Sequence, residues 1–163
     1  MTRKQDLIDT LRRSFDGDAW HGPALKEALA DVTAEEALWR PARHVHSIWE
    51  ITLHLAGWTQ ECASRLATGQ AAEPEGGDWP EVGAQCDRDG WEDALQQLFH
   101  GRDVLLRAVQ SLGDDALDST EGTSSAPHST PITRAGLIAG IAQHNAYHGG
   151  QISLLKKQAR CVV

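Results

Sequence analysis

Cysteine is scarce in this chain. Its three cysteines, Cys62, Cys86 and Cys161, are odd in number and far apart, with no CxxC spacing. That excludes a disulfide-stapled framework and points to reduced thiols in a reducing compartment, with Cys62 as a packing residue. Basic residues are also in short supply: Lys and Arg number 15 against 23 Asp and Glu, a net charge of −8, and no stretch is densely basic. Nucleic acid and anionic membrane surfaces are therefore poor partners. No apolar run reaches the roughly 18 residues of a membrane span, and no basic-then-apolar leader opens the sequence, so a soluble, cytoplasmic protein is expected. Internal repeats and strand-like alternation are missing as well, which leaves an all-α class. At 163 residues, one domain spanning 1–163 with a real core is expected.

What is present is helical periodicity. Leu7, Ile8, Leu11 and Phe15 give one apolar face to a first main helix from Lys4 to Phe15, stopped by Asp16-Gly17-Asp18. A short helix is predicted over 24–32, with Pro23 suited to its first turn. Thr33-Ala34-Glu35-Glu36 is another capped start, which Pro41 soon ends. The second main helix opens at the capping box Ser47-Ile48-Trp49-Glu50 and runs to about Thr68, a length of about 32 Å. Gly69 to Cys86 is a connection rich in Gly, Pro and Glu. It can span about 60 Å, enough to return along that helix, so the second and third main helices are free to run parallel. The third main helix is placed at Gly90–Leu112, capped by Asp87 or Asp89 and buried through Trp91, Leu95, Leu98, Leu105, Val109 and Leu112. A polar loop follows from Ser119 to Thr130. Thr130-Pro131 or Thr133 opens the last helix, which continues to Arg160.

The last helix organises the chain. Its apolar positions Leu137, Ile138, Ile141, Ile152 and Leu155 share a stripe with His144 and His148, which are one turn apart. Two imidazoles so placed lie about 5–6 Å apart at the Cβ and can converge on one metal ion. Eight histidines in 163 residues yield roughly 0.4 such pairs by chance, so the pair alone is weak. A third histidine, His54, stands on the edge of the second main helix's stripe of Ile48, Ile51, Leu55, Trp58, Cys62 and Leu66. Glu50 and Glu61 flank its other side, at about −40° and −20° around the helix.

Ser47-Ile48-Trp49-Glu50-Ile51-x-x-His54-Leu55-x-x-Trp58, followed by His144-x-x-Tyr147-His148-Gly149-Gly150-Gln151-Ile152, resembles the DinB-like (YfiT-like) family of metal proteins. The resemblance implies an up-down-down-up four-helix bundle with a long crossover between the second and third main helices. It also implies a divalent metal held by His54, His144 and His148. Family members with known activity are thiol transferases that use low-molecular-weight thiols, or a thiol-dependent isomerase, and the family name implies no DNA chemistry.

Three neutral imidazoles leave one tetrahedral position open, the pattern of catalytic rather than structural zinc. Water or a thiol entering there would be deprotonated near neutral pH. Zinc is the expected ion, with nickel, iron or manganese as alternatives, since histidine sites select weakly. The function expected is that of a metal-dependent thiol S-transferase acting on a small-molecule substrate. A metal-dependent hydrolase and a non-catalytic metal- or ligand-binding protein are the alternatives. Glu50 and Glu61 are the candidates for proton transfer, and Gln151 and Tyr147 for orienting an imidazole or touching a ligand. His44 and His46 are placed away from the ligands, in solvent or end-packing. Six tryptophans, several off the main stripes, suggest an outer face that a homodimer would cover, and the resemblance points the same way.

Overall fold

A computed structural model describes residues 2–121 and 132–162. Within them lie α1 (Arg3–Phe15), α2 (Leu25–Leu29), α3 (Ala34–Leu38), α4 (Ile48–Thr68), α5 (Arg88–Ser111) and α6 (Arg134–Val162), with a 3-10 turn at Asp114–Asp118. The predicted loop from Ser119 to Thr130 and the Thr130-Pro131 start fall largely outside the described residues. Two-residue strands β1 (Thr120–Glu121) and β2 (Ile132–Thr133) pair antiparallel at the edges of that segment. A ladder this short leaves no alternation to detect, which is why none was expected.

The helices begin where side chains can take their free amides. Ser47 Oγ accepts from Glu50 N, and Glu50 Oε2 accepts from Ser47 N at 2.8 Å, so the capping box that opens α4 forms as expected. Thr2 with Gln5 and Thr33 with Glu36 form the same box on α1 and α3. Asp87 caps α5 and Thr133 Oγ1 accepts from Gly136 N on α6, which settles both open choices. The short helix predicted over 24–32 is only Leu25–Leu29, because Asp31 turns into the left-handed region at φ 57°.

Side-chain pairs establish the directions of the four long helices. Trp49 and Trp91, at the starts of α4 and α5, lie 5.4 Å apart, and Thr59 packs on Gly101 midway, so α4 and α5 run parallel. His54 meets His144 and His148, whereas Cys62 and Arg65, further along α4, share a cavity wall with Leu137 and Ile141, earlier in α6, so α6 runs antiparallel to α4. Ser14 accepts from Asn145 Nδ2 at 3.0 Å, and Arg3 pairs with Asp118 at the other end, so α1 runs with α6. Lys4 Nζ reaches the carbonyl of Leu112, so α1 opposes α5. The result is the up-down-down-up bundle. Leu11, Phe15, Leu55, Leu98, Leu105, Ile138 and Ile152 fill its centre with no exposed surface.

The long crossover is more than a connection. After Gly69 ends α4 in the left-handed conformation (φ 73°), the chain doubles back along that helix. Ala72 N donates to Glu61 Oε1 at 3.0 Å. Pro74 then packs so closely on Gly57 that a Cβ there would lie 3.0 Å from Pro74 Cβ. Asp78 and Trp79 follow, arriving at His54. No helix among the described residues is long and apolar enough to cross a membrane.

Candidate metal centre

His54 projects from the second turn of α4, and His144 and His148 from successive turns of α6. Because the helices cross antiparallel there, the three rings form a nearly even triangle. Their centroids are separated by 4.9, 4.8 and 4.5 Å, and one ring nitrogen from each lies within 4.8 Å of the others. A tetrahedral ion with bonds of about 2.0–2.1 Å sets its ligand nitrogens about 3.3 Å apart, within the spread observed here.

The hydrogen bonds around the triangle decide which nitrogens are free. His54 Nδ1 donates to the main-chain carbonyl of Asp78 at 2.5 Å. A carbonyl can only accept, so the proton is on Nδ1 and the lone pair on Nε2 points inward. His148 Nδ1 donates to Gln151 Oε1 at 2.7 Å, which leaves its Nε2 as the inward lone pair as well. His144 Nε2 lies 2.9 Å from His54 Nε2. Its Nδ1 is buried and has no hydrogen-bond partner among the described residues. A divalent ion among the three rings would take one lone pair from each, with only Nδ1 of His144 left without a hydrogen-bond partner. The donor set fits such an ion.

Electrostatics agree. Burial, reinforced by the neighbouring His148 and His54, pushes His144 down to about 4, well below the ordinary imidazole value of 6.5. Burial lowers His148 too, only partly offset by its bond to Gln151. Both are therefore neutral at pH 7, the state that ligates metal. Cys62 is different: burial, then the charge of Glu61, raises its thiol to about 12. It is a packing residue and offers no thiolate.

Two cavities meet at this centre. The larger, about 670 Å³, has His54 and His148 at its base. Its walls are apolar, from Val45, Ile51, Trp79, Leu154 and Leu155, with Gln151, Gln158 and His44 as polar groups. The smaller, about 390 Å³, lies on the His144 side against Cys62, Leu137 and Ile141. Asp78 borders both.

The structure gathers His54, His144, His148, Gln151 and Tyr147 at one place. Gln151 bonds His148, and the exposed Tyr147 packs edge-on against it at 4.9 Å. Glu61 borders the smaller cavity, but Arg65 grips it through two donors at 2.9 and 2.8 Å, and Ala72 N also binds it. Glu50 borders neither of these cavities; it serves the α4 cap and pairs with Arg40. His46, expected in solvent or end-packing, packs face to face on Trp79 at 3.7 Å, and both His46 and His44 border the larger cavity. Trp49 is buried against Trp91.

Sequence reasoning missed Asp78 and Trp79. The only available signal was a large aromatic, Trp79-Pro80, in a stretch otherwise made of small, acidic and turn residues. Its register against His54 depends on how the crossover folds, which no local pattern encodes.

Residues 19–152 match the family model of the DinB superfamily. No curated protein and no solved structure matches the chain.

Proposed function

The chain belongs to the DinB superfamily, and from that premise we propose that it is a metal-dependent enzyme transferring a low-molecular-weight thiol to an electrophilic small molecule. The observation that carries the reading is the triangle of three histidine ring nitrogens beside an apolar cavity of about 670 Å³. A divalent ion, zinc by expectation, with nickel, iron or manganese as alternatives, would supply the Lewis acidity that keeps a thiol deprotonated at neutral pH.

The chain's own groups do the rest. His54, His144 and His148 would hold the ion, and the bonds to Asp78 and Gln151 orient two of the rings. Val45, Ile51 and Leu155 exclude water from the reacting atoms, which strengthens every polar interaction left inside. The sulfur forms its bond to the electrophilic carbon as the leaving group departs with its electron pair, and the thiol proton passes to solvent. No dedicated base is needed, which suits a site where Glu61 is held by Arg65 and Glu50 by Arg40.

One observation favours a second reading, metal-dependent hydrolysis: the carboxylate of Asp78 borders both cavities and could take a proton from water. We place the protein in the cytoplasm, where its three free cysteines stay reduced.

The test begins with metal analysis of freshly purified protein and of the His54→Ala, His144→Ala and His148→Ala variants. Near-stoichiometric metal in the wild type, and strongly reduced metal in each variant, are expected. Turnover of an activated electrophile is then measured with and without millimolar thiol. Thiol-dependent turnover that His148→Ala abolishes and Glu61→Gln reduces only modestly is expected. Thiol-independent hydrolysis that collapses in Asp78→Asn would overturn the transferase reading in favour of the hydrolase. Metal binding with no turnover in either condition leaves a non-catalytic binding protein.

A further inference from the structure

His54 differs from the other two histidines in what holds it. The crossover arrives from outside the bundle and grips the ring on one edge and one face. On the edge, Nδ1 donates to the carbonyl of Asp78 at 2.5 Å. On the face, the Trp79 indole stacks at a centroid distance of 4.0 Å and only 9° from parallel. The indole is itself clamped, because His46 covers its opposite face at 3.7 Å and 3°. Trp58 Nε1 donates to Asp78 Oδ1 at 2.7 Å and ties the same turn of the crossover to α4. Upstream, Ala72 on Glu61 and Pro74 on Gly57 lay the segment along the helix.

We infer that Asp78 and Trp79 are positioning residues for the metal ligand His54, and that the crossover and the ion stabilise one another. The inference rests on the metal reading above. Its physical content is that His54 sits at the margin of the α4 stripe, where an unassisted imidazole could rotate about χ1 and χ2 and expose either nitrogen. The carbonyl of Asp78 selects the tautomer that leaves Nε2 free, and the Trp79 stack selects the ring plane. Groups that orient a ligand in this way commonly contribute about 10–100-fold to metal affinity. Binding linkage is reciprocal, so whatever factor the closed crossover adds to the affinity, the ion adds to closure of the crossover.

Two experiments test it, with Zn²⁺ and Ni²⁺ themselves as the probes. In the first, metal affinity is measured by chelator competition on the wild type, Trp79→Leu, Trp79→Phe and Trp58→Phe. Trp79→Leu should lose about 10-fold or more in affinity with unchanged helix content. Trp79→Phe, which keeps a stacking ring, should stay within a few-fold of the wild type. Trp58→Phe frees the Asp78 carboxylate but leaves the stack, and should fall between them. Quenching of tryptophan fluorescence by Ni²⁺ should shrink in Trp79→Phe although the ion still binds, because Trp79 is the indole lying flat on a ligand ring. The second experiment needs no variant: hydrogen exchange of residues 70–82 in the wild type should slow when Zn²⁺ is added. Wild-type affinity in folded Trp79→Leu, or exchange in 70–82 that ignores the ion, would overturn the inference while leaving the three-histidine site intact. A wild type that binds no ion, or a His148→Ala variant that binds as well as the wild type, would instead remove the metal reading and this inference with it.

Discussion

At the scale of single residues the centre is defined by protonation. His144 titrates near 4 when folded, against about 6.5 for a free imidazole, because burial and two neighbouring rings oppose its charge. Burial lowers His148 in the same direction. For His144 the unfolded chain takes up a proton first, so the stability it contributes is complete above about pH 6.5 and is lost as pH falls towards 4, with His148 acting in the same direction. The metal-free protein should therefore show a melting temperature that drops across this window. His144→Asn should make the drop shallower, since an amide has no proton to gain. Thermal melts of stripped protein at half-unit pH steps would measure it, and equal slopes in both proteins would refute the assignment. Glu61 belongs to this scale too. Around α4 it looked like a candidate base beside His54, and only its partner Arg65, one turn on, and Ala72 from the crossover show how fully its carboxylate is engaged.

At the scale of elements, α4 supplies His54 while α6 supplies the other two ligands, and the start of α4 is the best-specified point in the chain. Ser47 and Glu50 satisfy one another's amides, and the buried Glu50 also accepts from Arg40. Ser47→Ala should cost about 1 kcal/mol, which for a chain of this size lowers the melting temperature by about 2–4 °C. Metal affinity should change little, because the cap lies nearly two turns from His54. Calorimetry with a parallel metal titration would check both halves, and an affinity loss matching that of His54→Ala would show that the cap positions the ligand. The crossover behaves in the opposite way. It has no helical or strand period of its own, yet its proline meets Gly57 and its tryptophan meets His54, so it acts as part of the site wall.

At the scale of the whole molecule, the tryptophans that suggested an outer apolar face are largely engaged within the chain. Trp49 and Trp91 are buried against each other, and Trp79 lies between His46 and His54, while Trp20 is fully exposed. A different exposed row replaces them on α6: Tyr147, Leu154 and Val162 are 65%, 58% and 68% exposed. Their 7–8-residue spacing keeps them on one side of the helix, the repeat with which a helix pairs with a second copy of itself. We propose a homodimer through this face, which would place the partner beside the mouth of the larger cavity, where Tyr147 and Leu154 stand. Light scattering at micromolar concentration should return twice 17.8 kDa, and Leu154→Lys should return it to the monomer value. A wild-type mass of 17.8 kDa would end the proposal.

By itself the sequence determined the features that repeat or punctuate: the long helices, the capping box at Ser47, and the pairing of His144 with His148 one turn apart. These depend on neighbours within four residues, so local geometry suffices to specify them. The link to His54, 90 residues upstream of His144, was legible only as a family pattern, since periodicity gives a residue's face on its own helix and not which helix that face meets. Tertiary structure alone decided that Asp78 and Trp79 close on His54, that Ala72 of the crossover binds Glu61, and that His46 stacks against an indole. Each of those contacts depends on the register of an irregular segment against a helix, and that register is set by close packing such as Pro74 on Gly57, which leaves no period in the sequence to read.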